Sequence, residues 1–257
     1  MGTTEVSSSL FGIAGFGFVG QAVYGSVTNP NAFYVYDKYQ GMGDIGVLFR
    51  KSMIFCCLPT VQNEDGTQDF TEYGRFLTDC INSDYKGVLV IKSTVLYNNI
   101  RPFLGKLNIV FNPEFLCQND AINDFLNQKV IILGGRIDKT RKVQEVYRDN
   151  FMLKDPDYEF CTIEEAINIK YVHNIYHAYK VLFWHYVEEK TGNARKMSDL
   201  YHKITDRNEL SRICADGKKG YGGACFPKDV NAYNSVKPDD LTEFMRKYNL
   251  GLRGDEI

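Results

Sequence analysis

Short apolar runs rich in β-branched and aromatic residues recur through the first 135 residues, separated by glycines or by stretches with helical spacing. They are Leu10-Phe-Gly-Ile-Ala14, Phe33-Tyr-Val-Tyr36, Met53-Ile-Phe-Cys-Cys-Leu58, Val88-Leu-Val-Ile91, Ile109-Val-Phe111 and Val130-Ile-Ile-Leu133. Continuous apolar runs of this length fit strands covered on both faces. Helix-compatible stretches lie between them at 19–27, 69–81 and 138–150. The alternation predicts an α/β fold, a Rossmann-type doubly wound parallel sheet. From Asp37 to Ser52 the chain is short and glycine-rich, so any crossover helix there must be small.

The pattern then changes. From Thr162 to Lys190 there is neither proline nor glycine, and Thr162 with Glu165 has the spacing of a capping box. That window predicts one helix about 43 Å long at 1.5 Å per residue, closed by Thr191-Gly192. Shorter helical pieces follow. The expected organisation is a Rossmann domain over 1–155, then a long central helix with a small helical domain over 156–257. The tyrosines of the long helix, with Phe183 and Trp184, offer more apolar surface than one small lobe covers, which predicts a homodimer built on it.

Charge narrows the partners. Thirty Lys and Arg nearly balance 32 Asp and Glu, so no single-sign field favours nucleic acid or an anionic membrane, and a small-molecule ligand is expected. The seven cysteines are odd in number and scattered, several within apolar runs, and lack CxxC or Cys/His ligand spacing. Neither disulfides nor a metal site is expected. No basic-then-apolar leader and no apolar run of membrane length are present, which predicts a cytoplasmic protein.

Gly15-Phe-Gly-Phe-Val-Gly20 follows the first strand and opens the first helix. In that context the first glycine makes the tight turn and the second admits a pyrophosphate to the backbone. The third allows close helix–strand contact, and the helix start is electropositive. Asp37 ends the second strand 17 residues after Gly20, where an acid binds ribose hydroxyls and repels a 2′-phosphate. NAD is therefore the expected cofactor.

Further along lies Gly220-Tyr-Gly-Gly-Ala-Cys-Phe-Pro-Lys-Asp229, a cysteine on a glycine-rich loop with Lys228 and Asp229 close by. Such a thiol suits attack on a carbonyl carbon, and equally suits an inert buried role. Lys170 and Asn174 sit at i and i+4, on one helix face. Lys92-Ser-Thr-Val95 and Asn112-Pro-Glu-Phe-Leu116 follow strands, at the sheet edge where ligands bind.

In this order, GFGFVG, the acid after strand two, CLPT (57–60), KSTV, NPEFL, KxxxN and GYGGACFPKD resemble the UDP-glucose 6-dehydrogenase family, the UDP-glucose/GDP-mannose dehydrogenases. The likeness runs from about Leu10 to Tyr233. It implies oxidation of a nucleotide sugar's C6 alcohol to the carboxylate, UDP-glucose to UDP-glucuronate, in two hydride transfers to NAD. Cys225 would form a thiohemiacetal and then a thioester. Lys170 and Asn174 would serve as oxyanion partners, with Asp229 holding the lysine and a water, and Glu114 and Thr94 positioning the hydrolytic water or acting as base. The implied cofactor-binding residues are Gly15, Phe18, Val19, Gly20, Asp37, Lys38, Pro59, Thr60, Thr94 and Lys228. The implied substrate-binding residues are Phe115, Leu116, Lys170, Asn174, Tyr221, Gly222 and Gly223.

Three departures stand out. The family's second glutamate after NPEFL is replaced by Gln118. Its arginine upstream of the cysteine loop has no clear counterpart, ungapped counting landing on Glu209 between Arg207 and Arg212. Only 28 residues follow Asp229, whereas the family continues into a third, nucleotide-gripping domain. A non-catalytic NAD-binding protein and a two-domain 3-hydroxyacid-type dehydrogenase stay open as alternatives.

Overall fold

The computed structural model describes residues 9–205 and 217–254. Arg207, Glu209, Arg212 and Cys214 lie outside the described residues. In chain order the first elements are β1 (Phe11–Ala14), α1 (Phe18–Gly25), β2 (Phe33–Tyr36), α2 (Ile45–Leu48) and β3 (Met53–Cys56). A small hairpin, β4 (Val61–Gln62) and β5 (Gln68–Asp69), precedes α3 (Thr71–Asn82), β6 (Val88–Ile91), α4 (Tyr97–Ile100) and β7 (Asn108–Phe111). Then come α5 (Ala121–Leu126), β8 (Val130–Gly135), α6 (Ile137–Asn150), β9 (Asp157–Cys161) and α7 (Ile163–Thr191). The helices α8 (Ala194–Thr205), α9 (Phe226–Val236) and α10 (Asp240–Arg253) complete the described chain.

Two compact units emerge. The first comprises the chain up to Thr60 together with Asp69–Lys170, and the second comprises Val61–Gln68 and the chain from Tyr171 on. The division drawn from the sequence after residue 155 thus falls inside the first unit, because β9 joins the sheet and the start of α7 packs there.

In the first unit seven strands run in the order β2-β1-β3-β6-β7-β8-β9. The first five are mutually parallel, in register from Ala14 opposite Tyr36 and Cys56 to Ile91 opposite Phe111. The apolar runs make strands here because both faces are covered. Ile13, Phe55, Val90, Val110 and Leu133 meet Ala22 and Val23 of α1, Phe125 of α5 and Val143 and Tyr147 of α6. Full burial of each large apolar side chain contributes about 1.5–3 kcal/mol.

The sheet is mostly parallel, as expected, and departs from that at one junction. β8 runs antiparallel to β7, with Val110 opposite Gly135, and β9 then pairs parallel with β8. The β7–β8 connection, residues 112–129, carries a 3-10 turn at Gln118–Asp120 and the six-residue α5. β9 itself has no counterpart among the sequence-predicted strands. It is an edge strand, half exposed throughout, so it lacks a continuous apolar run.

The capping box forms as expected. Thr162 N donates to Glu165 Oε2 (2.8 Å) and Glu165 N to Thr162 Oγ1 (3.2 Å). α7 then runs 29 residues without a break.

The second unit is helical around a smaller core. Ala178, Val181 and Leu182 of α7 pack with Tyr221, Val230 of α9 and Met245 of α10. One face of α7 stays uncovered, with Ile169, Val172, Tyr176, Tyr179, Phe183 and Tyr186 each 40–54% exposed. Their alternating spacing of three and four residues is that of a helix–helix seam.

Candidate functional site

At the carboxyl ends of β1 and β2 the glycines do what the motif requires. Gly15 has φ +88°, and a Cβ there would sit 2.6 Å from the Cys57 carbonyl. A Cβ on Gly20 would lie 2.1 Å from the Gly15 carbonyl oxygen. α1 starts at Phe18 behind Gly17, and no side chain caps it, so its first amides face outward uncapped. That is a fitting cradle for a pyrophosphate. The side chains of Phe18 and Val19 pack against the core.

Asp37 stands beside this cradle. Its Oδ2 accepts from Phe16 N (2.7 Å), and its Oδ1 accepts from Tyr39 N and Gln40 N (both 2.9 Å). Burial works against its charge, but these amides and the Gln40 side chain hold the carboxyl below its ordinary range. The adjoining cleft is lined by Gly15, Tyr36, Asp37, Lys38, Tyr39, Ile45, Leu58, Pro59, Glu72, Arg75, Phe76 and Asp79. Four of the expected cofactor residues therefore share one cleft. The cleft also brings in Glu72, Arg75 and Asp79 of α3, which motif reading missed. Glu72 Oε2 pairs with Lys38 Nζ at 3.1 Å, while Oε1 pairs with Arg75. Hydrogen bonding to Lys38 holds the Glu72 carboxyl down, and the same contact raises the Lys38 amine.

On the neighbouring strand ends, Thr60 Oγ1 donates to the Thr94 carbonyl (3.0 Å), tying CLPT to KSTV. Behind them lies a polar cluster in the core. Lys92 Nζ donates to Asn112 Oδ1 (2.8 Å), which also accepts from the Tyr147 hydroxyl (2.6 Å). Burial pushes the Lys92 amine down to about 8, against the opposing pull of Cys57 and Glu114. Burial likewise pushes the Cys57 thiol up to about 12.

Lys170 is committed within the first unit. Its Nζ donates to the Glu114 carbonyl (2.6 Å), pairs with Glu114 Oε1 (3.1 Å) and lies over the Phe115 ring. The other Glu114 oxygen accepts from Leu116 N (2.9 Å), so the NPEFL turn is closed on itself. An ammonium has three N–H groups, and two are aimed at Glu114.

In the second unit Asp229 is fully buried and joins two expected residues. Its Oδ2 accepts from Asn174 Nδ2 (2.6 Å), and its Oδ1 pairs with Lys228 Nζ (2.5 Å). Cys225 is the half-buried N-cap of α9, and Asp229 N donates to its carbonyl (2.9 Å). The thiol therefore sits at the electropositive start of an 11-residue helix.

The glycine loop before the thiol is held by residues that motif reading did not single out. Gly220 N donates to His185 Nε2 (2.8 Å). Asn249 accepts from Tyr221 N (2.7 Å) and donates back to Tyr221 O (3.1 Å), while Arg253 reaches the Lys219 and Tyr221 carbonyls at 3.5 Å. Gly222 and Gly223 complete this loop. The only sequence signal for these anchors is a buried polar position inside an apolar helix face, which is weak without the partner.

Among the described residues no helix is long and apolar enough to cross a membrane, and no cluster of three or more His, Cys, Asp or Glu could hold a metal ion.

Residues 38–151 match the model of the NAD binding domain of the UDP-glucose/GDP-mannose dehydrogenase family. The UDP-glucose 6-dehydrogenase of Campylobacter jejuni is 31% identical over 170 residues, which cover 62% of this chain and 42% of that protein. The chain spans about half the length, or less, of the curated relatives it matches. Among solved structures, a UDP-glucose dehydrogenase from Pyrobaculum islandicum superposes with TM-score 0.74 at 18% identity, covering 97% of this chain and 69% of that one. A 3-hydroxyisobutyrate dehydrogenase from Mycobacterium tuberculosis shares the fold with TM-score 0.66 at 15% identity, covering 95% and 94%.

Proposed function

The chain carries the NAD-binding domain of the UDP-glucose/GDP-mannose dehydrogenase family, and on that premise we propose that it oxidises the C6 alcohol of a nucleotide sugar, UDP-glucose in the first place, to the carboxylate. The observation that carries this reading is the Asn174–Asp229–Lys228 chain, which ties α7 to the first turn of the helix that Cys225 caps. A fully buried carboxylate bridging an amide and an ammonium beside a thiol has chemistry to organise. An inert turn would leave such groups to solvent.

NAD+ supplies the acceptor for the two hydrides that leave the sugar carbon. The Cys225 sulfur adds to the aldehyde carbon left by the first oxidation, and the thiol proton passes to the former carbonyl oxygen. The second oxidation removes hydride from the same carbon and leaves a thioester. Water then displaces the sulfur, which takes back its proton as the carboxylate is released. Asn174 spends one amide N–H on Asp229 and has a second to donate to the oxygen that carries developing charge. Asp229 fixes the Asn174 amide.

The exposed apolar seam of α7 supports assembly as a homodimer, since six large side chains at alternating three- and four-residue spacing match a second copy of themselves.

The test is NADH formation from NAD+ with UDP-glucose, GDP-mannose and UDP-N-acetylmannosamine, with 3-hydroxyisobutyrate as a fourth arm. Two NADH per sugar, and loss of acid release in Cys225→Ser, are the expected results. NADH from the hydroxyacid alone, unaffected by Cys225→Ser, would replace this reading with 3-hydroxyacid oxidation. NAD+ binding with silence on all four substrates would end the enzyme reading.

A further inference from the structure

The cleft beside Asp37 holds a charge arrangement that the reaction does not use. Lys38 follows Asp37 directly, and Arg75 reaches the same cleft from α3. A lysine next to the ribose-binding acid and a second cation opposite it make a natural pocket for a 2′-phosphate, which carries up to two negative charges and binds basic side chains through charge-assisted hydrogen bonds. Yet each cation is already paired with a carboxylate. Glu72 spends one oxygen on each, Oε2 on Lys38 Nζ (3.1 Å) and Oε1 on Arg75. The cleft lining carries three carboxylates, Asp37, Glu72 and Asp79, against those two cations.

We propose that Glu72 is a specificity-determining residue for the cofactor, occupying Lys38 and Arg75 so that the adenosine end of the cleft accepts a ribose diol and refuses a 2′-phosphate. Asp37 repels the phosphate directly, and Glu72 removes the counter-charges that would offset that repulsion. The inference rests on NAD binding in this cleft, and it goes beyond that reading by assigning discrimination to a residue 35 positions from Asp37 in sequence.

Glu72 has a rival role. It lies in the first turn of α3, where a carboxylate complements the helix dipole. A residue acting only there would affect both cofactors alike. The deciding measurement is the dissociation constant of NAD+ and of NADP+ by titration calorimetry, for wild type, Glu72→Gln and the triple variant Lys38→Gln/Glu72→Gln/Arg75→Gln. Thermal melts confirm folding of each. Glu72→Gln is expected to tighten NADP+ about tenfold, while NAD+ moves by less than about threefold, the size expected of freed charges a few ångströms from a phosphate in solvent. The gain should vanish in the triple variant and shrink as salt rises to about 0.5 M.

Equal shifts for both cofactors in Glu72→Gln would overturn the proposal in favour of the helix-start role. An NADP+ gain that survives in the triple variant would overturn it too, because simple loss of negative charge would then suffice. Wild type that binds neither cofactor would bring down the cofactor reading and this inference together. Wild type that binds NAD+, with NADP+ affinity unmoved by Glu72→Gln, would bring down this inference alone.

Discussion

Replacing Lys92 by methionine should remove a pH dependence of stability that this one amine imposes. Lys92 is 2% exposed. Burial holds its pKa at about 8 against 10.5 for a free lysine, with Cys57 and Glu114 pulling it up and Lys170 pushing it down. A cation depressed by folding is charged in both states below about pH 8, and there the folded state bears the cost of a buried charge. Between about 8 and 10.5 the unfolded chain binds a proton that the folded chain has released, so stability rises with pH across that window. At about 1.4 kcal/mol per pH unit, the rise from pH 7 to about 9.5 amounts to about 2 kcal/mol. The buried thiols of Cys57 and Cys80, both raised to about 12, work the other way, losing stability as pH climbs past their unfolded value near 9. Wild type alone would show the mixture, but the thiol contributions are common to both proteins and cancel in the difference. Methionine is a fair substitute because Asn112 Oδ1 keeps the Tyr147 hydroxyl as donor, and the weaker 3.5 Å contact to the Asn112 carbonyl is lost equally at both pH values. Urea unfolding of the first unit by circular dichroism, at about pH 7 and about pH 9.5, should show wild type gaining about 2 kcal/mol on Lys92→Met. A gap that changes by less than about 0.5 kcal/mol, well below the 1.4 kcal/mol per pH unit of a single titrating group, would mean that the amine is solvated and the argument wrong.

Gly20→Ala should weaken NAD+ binding at least about tenfold by calorimetry, because its Cβ would lie 2.1 Å from the Gly15 carbonyl, a backbone atom that cannot step aside; unchanged affinity would show that the turn is not the pyrophosphate cradle. Asn249→Ala removes both hydrogen bonds on the Tyr221 backbone and should destabilise the second unit by roughly 2–3 kcal/mol in a thermal melt while speeding alkylation of Cys225. An unmoved midpoint would leave the loop to His185 and Arg253. Tyr179→Glu/Phe183→Glu puts two charges on the exposed α7 seam and should convert a dimer to a monomer in sedimentation velocity. A dimer that persists would mean that another surface assembles the protein.

Local steric and periodic information was enough for much of the molecule. The apolar runs became β1, β2, β3, β6, β7 and β8 because a strand buried on both faces writes itself as a continuous apolar stretch. The Thr162–Glu165 capping box and the absence of breakers set α7 within a residue at either end. Gly15 and Gly20 were legible because their constraint is steric and lies within a few residues. Tertiary structure decided what depends on partners distant in sequence. The antiparallel pairing of β8 with β7 has no local signature in the chain, and the half-exposed edge strand β9 carries no continuous apolar run. Lys38 and Glu72 meet across 34 residues, Lys170 and Glu114 across 56, and Asn174 and Asp229 across 55. A charged side chain in sequence reads the same whether it meets water or a partner. Only packing, by excluding water and closing those long loops, makes Asp229 a buried bridge, Glu72 a clasp on two cations and Lys92 an amine that gives up its proton near pH 8.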